Sequence, residues 1–320
     1  MNMLAMNEQA LIDRLAASCA DKVPGRADVL VLRGLSQDEA RTRANRFVSL
    51  LRESDACSRD HANFVTGAER TVVRLTGGAR ATLHHASGAL QFSSGLAPLE
   101  GAFARVAERE VLTRQLQALA QQLKLREWAG DGDTVDFERL WLSKAQGADR
   151  EQRLSEPVLL RATGAWRHAI DGVPVLGAAS GALTLAGEGA IDALPTRIRP
   201  GVAETLDSTV VLAPEDGARE IARRLASILG NARERLPADA IHVHPMRFGY
   251  LDLGKRKAQR VLAPVYVAQV EIRHKLERQG YVFAVPATER VYQELPLFGT
   301  DQLAARARLD AGGHCRDELR

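Results

Sequence analysis

The sharpest chemical signal in the chain is Ile241-His242-Val243-His244-Pro245. On an extended strand, side chains two apart share a face, so His242 and His244 would stand roughly 6.6 Å apart. Two neighbouring imidazoles suit a transition metal or proton handling near neutral pH. Met246, Phe248 and Tyr250 are expected to continue that face, giving a candidate catalytic set of His242, His244 and Tyr250. A third ligand would have to come from His84, His85, His168 or a distant acid, so no bound metal is expected. Without a ligand, the pair is two histidines on a half-wet strand face.

A second constellation binds rather than reacts. Arg161, Thr163 and Arg167 alternate onto one face of a long strand, with Val158, Leu160, Trp166 and Ile170 on the other. Arginines on a sheet face can clamp a carboxylate or phosphate. Arg161 and Arg167 are therefore candidate ligand-binding residues, joined by His84 and His168. If this strand and the His242 strand shared a sheet, Arg161, Arg167 and Tyr250 would line one concavity. His84 and His85 are adjacent, so only one of them can join any one site.

Other motifs fail. Asp131-Gly132-Asp133-Thr134-Val135-Asp136 lacks the calcium-loop spacing, since Val135 and Leu142 stand where acidic ligands belong. There is no Gly-x-x-x-x-Gly-Lys and no Gly-x-Gly-x-x-Gly, so neither ATP nor a dinucleotide is expected, and no cofactor at all. Gly254-Lys255-Arg256-Lys257-Ala258-Gln259-Arg260 is a local basic run, read as a solvated hairpin turn.

The elements that must position these residues begin at three similar helix-start phrases, at Leu35-Ser36, Leu96-Ala97-Pro98 and Leu212-Ala213-Pro214. Their leucines are separated by 61 and 116 residues, nearly one to two, which suggests a repeated unit. Ser36 and Glu39 have capping-box spacing, while Pro98 and Pro214 suit a first helical turn. Ala40, Ala44, Phe47, Val48 and Leu51 form one apolar stripe, and Ala218, Ile221, Ala222, Leu225 and Leu229 another. Pro98 to Leu125 is expected as a long helix joining two lobes.

Strands are expected at Arg70–Leu75 and Ala79–His85 around Gly77-Gly78, then at Ala89–Ser93, Phe137–Ala145, Val158–Ile170, Val173–Ala186 and Ala190–Ile198. Further strands should span Ala240–Leu253, Val261–His274 and Tyr281–Pro286. Tight turns between successive strands mean antiparallel pairing, so the fold class is α+β, with helices packed on antiparallel sheets in helix-plus-sheet units. The expected division is residues 1–130, 131–299 and a charged tail, 300–320, read as a fraying helix or disorder.

Trp166-Arg167-His168-Ala169-Ile170-Asp171-Gly172-Val173-Pro174-Val175-Leu176-Gly177-Ala178-Ala179-Ser180 carries a resemblance. Gly172, Pro174, Val175 and Gly177 match the strand–turn–strand phrase of PepSY and fungalysin–thermolysin propeptide domains, and Gly187-Glu188-Gly189 sits where a further turn would lie. The similarity spans about 35 residues. It implies a helix packed on an antiparallel sheet, in a module that inhibits, chaperones or regulates.

Composition bounds the rest. The 320 residues are 45% hydrophobic and 26% charged with a net charge of +3, which gives a globular chain without the field that recruits nucleic acid. Cys19, Cys57 and Cys315 show no paired or zinc-type spacing. No apolar run approaches the ~18 residues of a membrane span, and the N-terminus lacks a secretory pattern, so a cytoplasmic protein is expected. Two functions remain. One is a non-catalytic binding or regulatory protein that holds a small acidic ligand, a peptide or a partner protein on a sheet face. The other is a cofactor-free or metal-dependent enzyme with a histidine- and arginine-lined pocket for a small polar substrate.

Overall fold

The structure, a computed structural model, describes residues 8–54, 62–105, 108–177, 180–198, 202–229, 240–254, 259–274 and 277–295. In chain order the first elements are α1 (Glu8–Ala17), β1 (Arg26–Leu32), α2 (Gln37–Glu53), β2 (Asn63–Thr66), β3 (Arg70–Arg74), β4 (Arg80–His84), β5 (Leu90–Ser93) and α3 (Arg109–Gln122). Then come β6 (Thr134–Ala145), β7 (Val158–Ile170), β8 (Val173–Leu176), β9 (Gly181–Leu185), β10 (Ile191–Thr196), β11 (Val202–Val210) and α4 (Pro214–Leu229). β12 (Ile241–Val243), β13 (Arg247–Leu251), β14 (Val261–Leu262), β15 (Pro264–His274) and β16 (Glu277–Pro286) complete the order. Helices and antiparallel sheets coexist in a strand-rich chain. Among the described residues, no helix is long and apolar enough to cross a membrane.

The chain forms two compact units interleaved in sequence: residues 31–204 with 252–260, and residues 1–30, 205–251 and 261–320. This differs from a boundary near residue 130. α3 and the strands on both sides of it bury their apolar faces in one core, so the chain cannot divide there. The tail 300–320, Cys57 and Cys315, and Lys255 to Ala258 of the basic run lie outside the described residues.

In the unit built on residues 31–204, strands run in the order β2-β3-β4-β5-β10-β9-β7-β6, with β8 pairing the end of β7. All these pairings are antiparallel. α2 and α3 cover one face. Phe47, Val48, Leu51, Leu112 and Leu116 meet Leu83, Phe92, Leu183 and Leu194 in the core. α2 starts as its spacing predicts. Glu39 N–H donates to Ser36 Oγ at 3.2 Å, and Ser36 N–H donates to Glu39 Oε2 at 2.8 Å.

The helix expected from Pro98 does not form there. Residues 98–101 make a turn, and the helix spans only Arg109–Gln122. Backbone bonding explains the change. Gly187 N–H reaches Gly101 O, Phe103 N–H reaches Leu159 O, and Gly101 sits at φ +62°, so this segment is tied to neighbouring chain rather than coiled.

Two expected strands are broken. Val173–Ala186 divides into β8 and β9 after Gly177, which sits at φ +114°. Ala240–Leu253 divides at Pro245 into β12 and β13, both paired with β15, because proline lacks the N–H that a continuous ladder needs.

In the other unit, β12 and β13 lie along one side of β15 and β16 along the other. α4 packs on β15 and β16, and also on α1. Its stripe of Ala218, Ile221, Ala222, Leu225 and Leu229 is buried, as the periodicity predicts. Gly217 lies against the Tyr266 ring so closely that a Cβ there would come within 2.4 Å of it. β1, β2 and β11 were not apparent in the sequence pattern.

Candidate functional site

His242 and His244 do stand on one face. His242 faces Glu271 across the β12–β15 ladder, and His244 N–H continues it to Gln269 O at 2.9 Å. His244 Nε2 lies 4.0 Å from Glu271 Oε2, and its side chain is 47% exposed. Glu271 already accepts from Arg273 at 2.7 Å, and that bond, with Arg278 and His242 nearby, holds its carboxyl below the usual range. Among the described residues no group of three or more His, Cys, Asp or Glu is placed to hold a metal.

Tyr250 does not share this face. The break at Pro245 resets the alternation, so Phe248 pairs with Tyr266 on the helix-covered side. Tyr250 is buried there, and its hydroxyl donates to Asp28 O at 2.8 Å. It is a structural hydroxyl.

The arginines of β7 are corrected in the same way. Arg161, Thr163 and Arg167 lie on the face away from the helices, as their alternation predicts. Leu160, however, is displaced by an irregularity in register, so Leu159 enters the core instead. Arg161 is buried. Its Nε donates to Asp192 at 2.6 Å, and its other nitrogens to Leu160 O at 2.8 Å and Ala97 O at 3.2 Å. Arg167 donates to Glu138 at 2.8 Å and to Val175 O at 2.9 Å. Neither guanidinium is left to grip a ligand.

His168 is 1% exposed on the helix side, with Nε2 at 2.8 Å from Asp133 Oδ2. That oxygen also accepts from Gly130 N–H at 3.0 Å, so the pair closes the turn leading into β6. His84 lies half-buried on β4, opposite Arg70. His242, His244 and Tyr250 thus belong to one unit, and His84, Arg161, Arg167 and His168 to the other.

A different cluster emerges on the face of the 31–204 sheet that α2 and α3 leave open. Arg74 stands directly opposite Arg80, Val72 opposite Thr82, and Arg70 opposite His84. All three arginines are exposed, and among the described residues none of their side chains has an ion pair or hydrogen bond. Like charges facing each other across a ladder repel. The alternation Arg70-x-Val72-x-Arg74, followed by a five-residue connection to Arg80, is the signal that could have found them.

The helix side of this unit carries a cleft of about 890 Å³ between α3, the turn at 129–133 and β6. Phe137 and Trp166 meet edge to face at 5.4 Å in its wall. Of its lining cations, Arg46 and Lys124 share Glu127. Deeper in the unit, Arg43 stacks on Trp128 at 4.6 Å, and burial lowers its pKa to about 10.

The fold is similar to that of an uncharacterized protein from Eubacterium rectale, with a TM-score of 0.56 at 8% identity over 91% of this chain and 99% of that one. At this identity the likeness concerns the fold. No family model and no curated protein matches the chain.

Proposed function

We propose that the chain is a non-catalytic binding or regulatory protein that holds an acidic ligand, peptide or partner on the open sheet face of the 31–204 unit. The observation that carries this reading is the facing pair Arg74 and Arg80, with Arg70 beside it, and no acid of the described chain to neutralise them. Repulsion across the ladder is tolerable where a partner's carboxylates relieve it. The enzymatic alternative keeps His242 and His244 on one face but not the pocket around them, since Arg161, Arg167 and Tyr250 are engaged inside their units.

The resemblance around Trp166–Ser180 supports the same reading. α2 leads into β2–β5, and α3 into β6, β7, β9 and β10, so a helix followed by antiparallel strands occurs twice in one sheet. We read this as a repeated PepSY-like unit in a cytoplasmic protein whose role is regulatory.

The test uses polyglutamate peptide as probe, titrated at low salt against the wild type and Arg74→Glu. A charged contact contributes about 1.5–3 kcal/mol, so affinity should fall roughly 10- to 150-fold in the variant. Equal affinity for both proteins, or no binding by the wild type, defeats the reading.

A further inference from the structure

The two edges of the 31–204 sheet are built differently. β6 carries the features that discourage pairing: register shifts at Phe137/Arg139 and at Ser143/Lys144, and the charges of Glu138, Arg139 and Lys144 along its length. Arg139 also lies over exposed Trp141 at 5.1 Å. β2 carries none of them. Its sequence Asn63-Phe64-Val65-Thr66 is uncharged and rich in strand formers, and its four residues pair with β3 without a shift. Val65 is 51% exposed, and among the described residues no strand pairs with the far edge.

The orientation of the free groups follows from the ladder. Gly67 N–H bonds Arg70 O, so the facing pairs Val65–Val72 and Asn63–Arg74 exchange the backbone bonds with β3. The N–H and C=O of Phe64 and Thr66 therefore point away from the sheet. They form a short, uncharged template.

We infer that an extended acidic peptide of a partner protein adds to β2 as a further strand, its carboxylates reaching Arg74; this deepens, and rests on, the acidic-partner reading above. A side chain of the added strand on the open face would stand beside Asn63 or Val65, two strand spacings or about 9.6 Å from the β3 residues beyond. Glutamate and arginine side chains together span that gap. The occupant would carry an acid facing the Asn63–Arg74–Arg80 row and an apolar residue, two positions away, facing the Val65–Val72 row. A second copy of this chain is disfavoured, because edge-to-edge pairing of β2 would bring a second set of arginines toward the first.

The experiment uses a fluorescent octapeptide with Glu and Val two positions apart in a threonine background. It is compared with two versions N-methylated on alternate residues, one version for each strand edge. Anisotropy should show one version weakened at least 10-fold and the other unchanged. Thr66→Pro, which removes an outward N–H while sparing the bonds to β3, should weaken the parent peptide similarly with its circular dichroism preserved. If both methylated peptides bind like the parent while Arg74→Glu still weakens all three, strand addition falls and acidic binding stands. If Arg74→Glu changes nothing, both readings fall. A parent peptide that does not bind, or a wild-type dimer in light scattering that Thr66→Pro abolishes, overturns the inference.

Discussion

The open sheet faces of the two units both set arginine opposite arginine, and they differ in whether a carboxylate stands among them. On the β12–β15–β16 sheet, Arg273 also faces an arginine, Arg278, but it holds Glu271 at 2.7 Å between them, both histidines flank the same carboxylate, and Arg247 holds Asp21 at 2.7 Å. On the 31–204 sheet, Arg70, Arg74 and Arg80 stand together without an acid of the described chain. β7 of that same sheet nevertheless pairs its arginines with Asp192 and Glu138. Internal neutralisation is thus available to this fold and, among the described residues, is absent at Arg70, Arg74 and Arg80. The proposed acidic partner would supply there the carboxylates that Asp192 and Glu138 supply on β7.

The contrast can be broken most severely at Arg161. Its removal leaves Asp192 without its guanidinium and strips Ala97 O of a donor, so Arg161→Ala should destabilise by about 2–3 kcal/mol in urea unfolding. Unchanged stability would mean that the β7 arginines are as free as those of β3 and β4. Arg167→Ala should have a smaller effect, about 1–2 kcal/mol, because Glu138 keeps Arg139.

Arg80→Glu should act in the other direction. It replaces repulsion of Arg74 by attraction and should raise stability by about 0.2–1 kcal/mol, while weakening polyglutamate binding. A loss of stability would show Arg80 to be structural.

The finest comparison is a titration. Glu271 should titrate below the usual glutamate range by carbon-detected NMR and return toward it in Arg273→Ala. Because its folded pKa is lowered, its contribution is complete above the ordinary glutamate pKa and is lost as pH falls to the folded value. An identical titration in both proteins would remove the neutralised side of the contrast.

What could be read from the sequence was local. Ser36 with Glu39, the stripe of α4 and the alternation along β7 each depend on residues a few positions apart; the first two appear as expected, and the third holds from Arg161 onward. The partners that commit an arginine are remote. Asp192 is 31 positions from Arg161 and Glu138 is 29 from Arg167, so free and committed arginines look alike until register is known. The false helix start at Pro98 has the same origin, since a proline and an acid satisfy a local rule that bonds to Leu159 and Gly187 override. The arginine cluster was half visible. A hairpin at Gly77-Gly78 already implies Arg74 opposite Arg80, but only register shows that no acid joins them.

The interleaving of the two units also has a consequence in time. Residues 1–30 must wait for roughly 175 further residues before the next part of their own unit, at Thr205, is synthesised. At about 5–20 residues per second, this is an interval of roughly 10–35 seconds. The 31–204 segment can meanwhile assemble its helices and strands behind an N-terminus that has nowhere to dock. A ribosome stalled just after residue 204 has cleared its exit tunnel would therefore hold the 31–204 segment protected from protease and residues 1–30 open to cleavage.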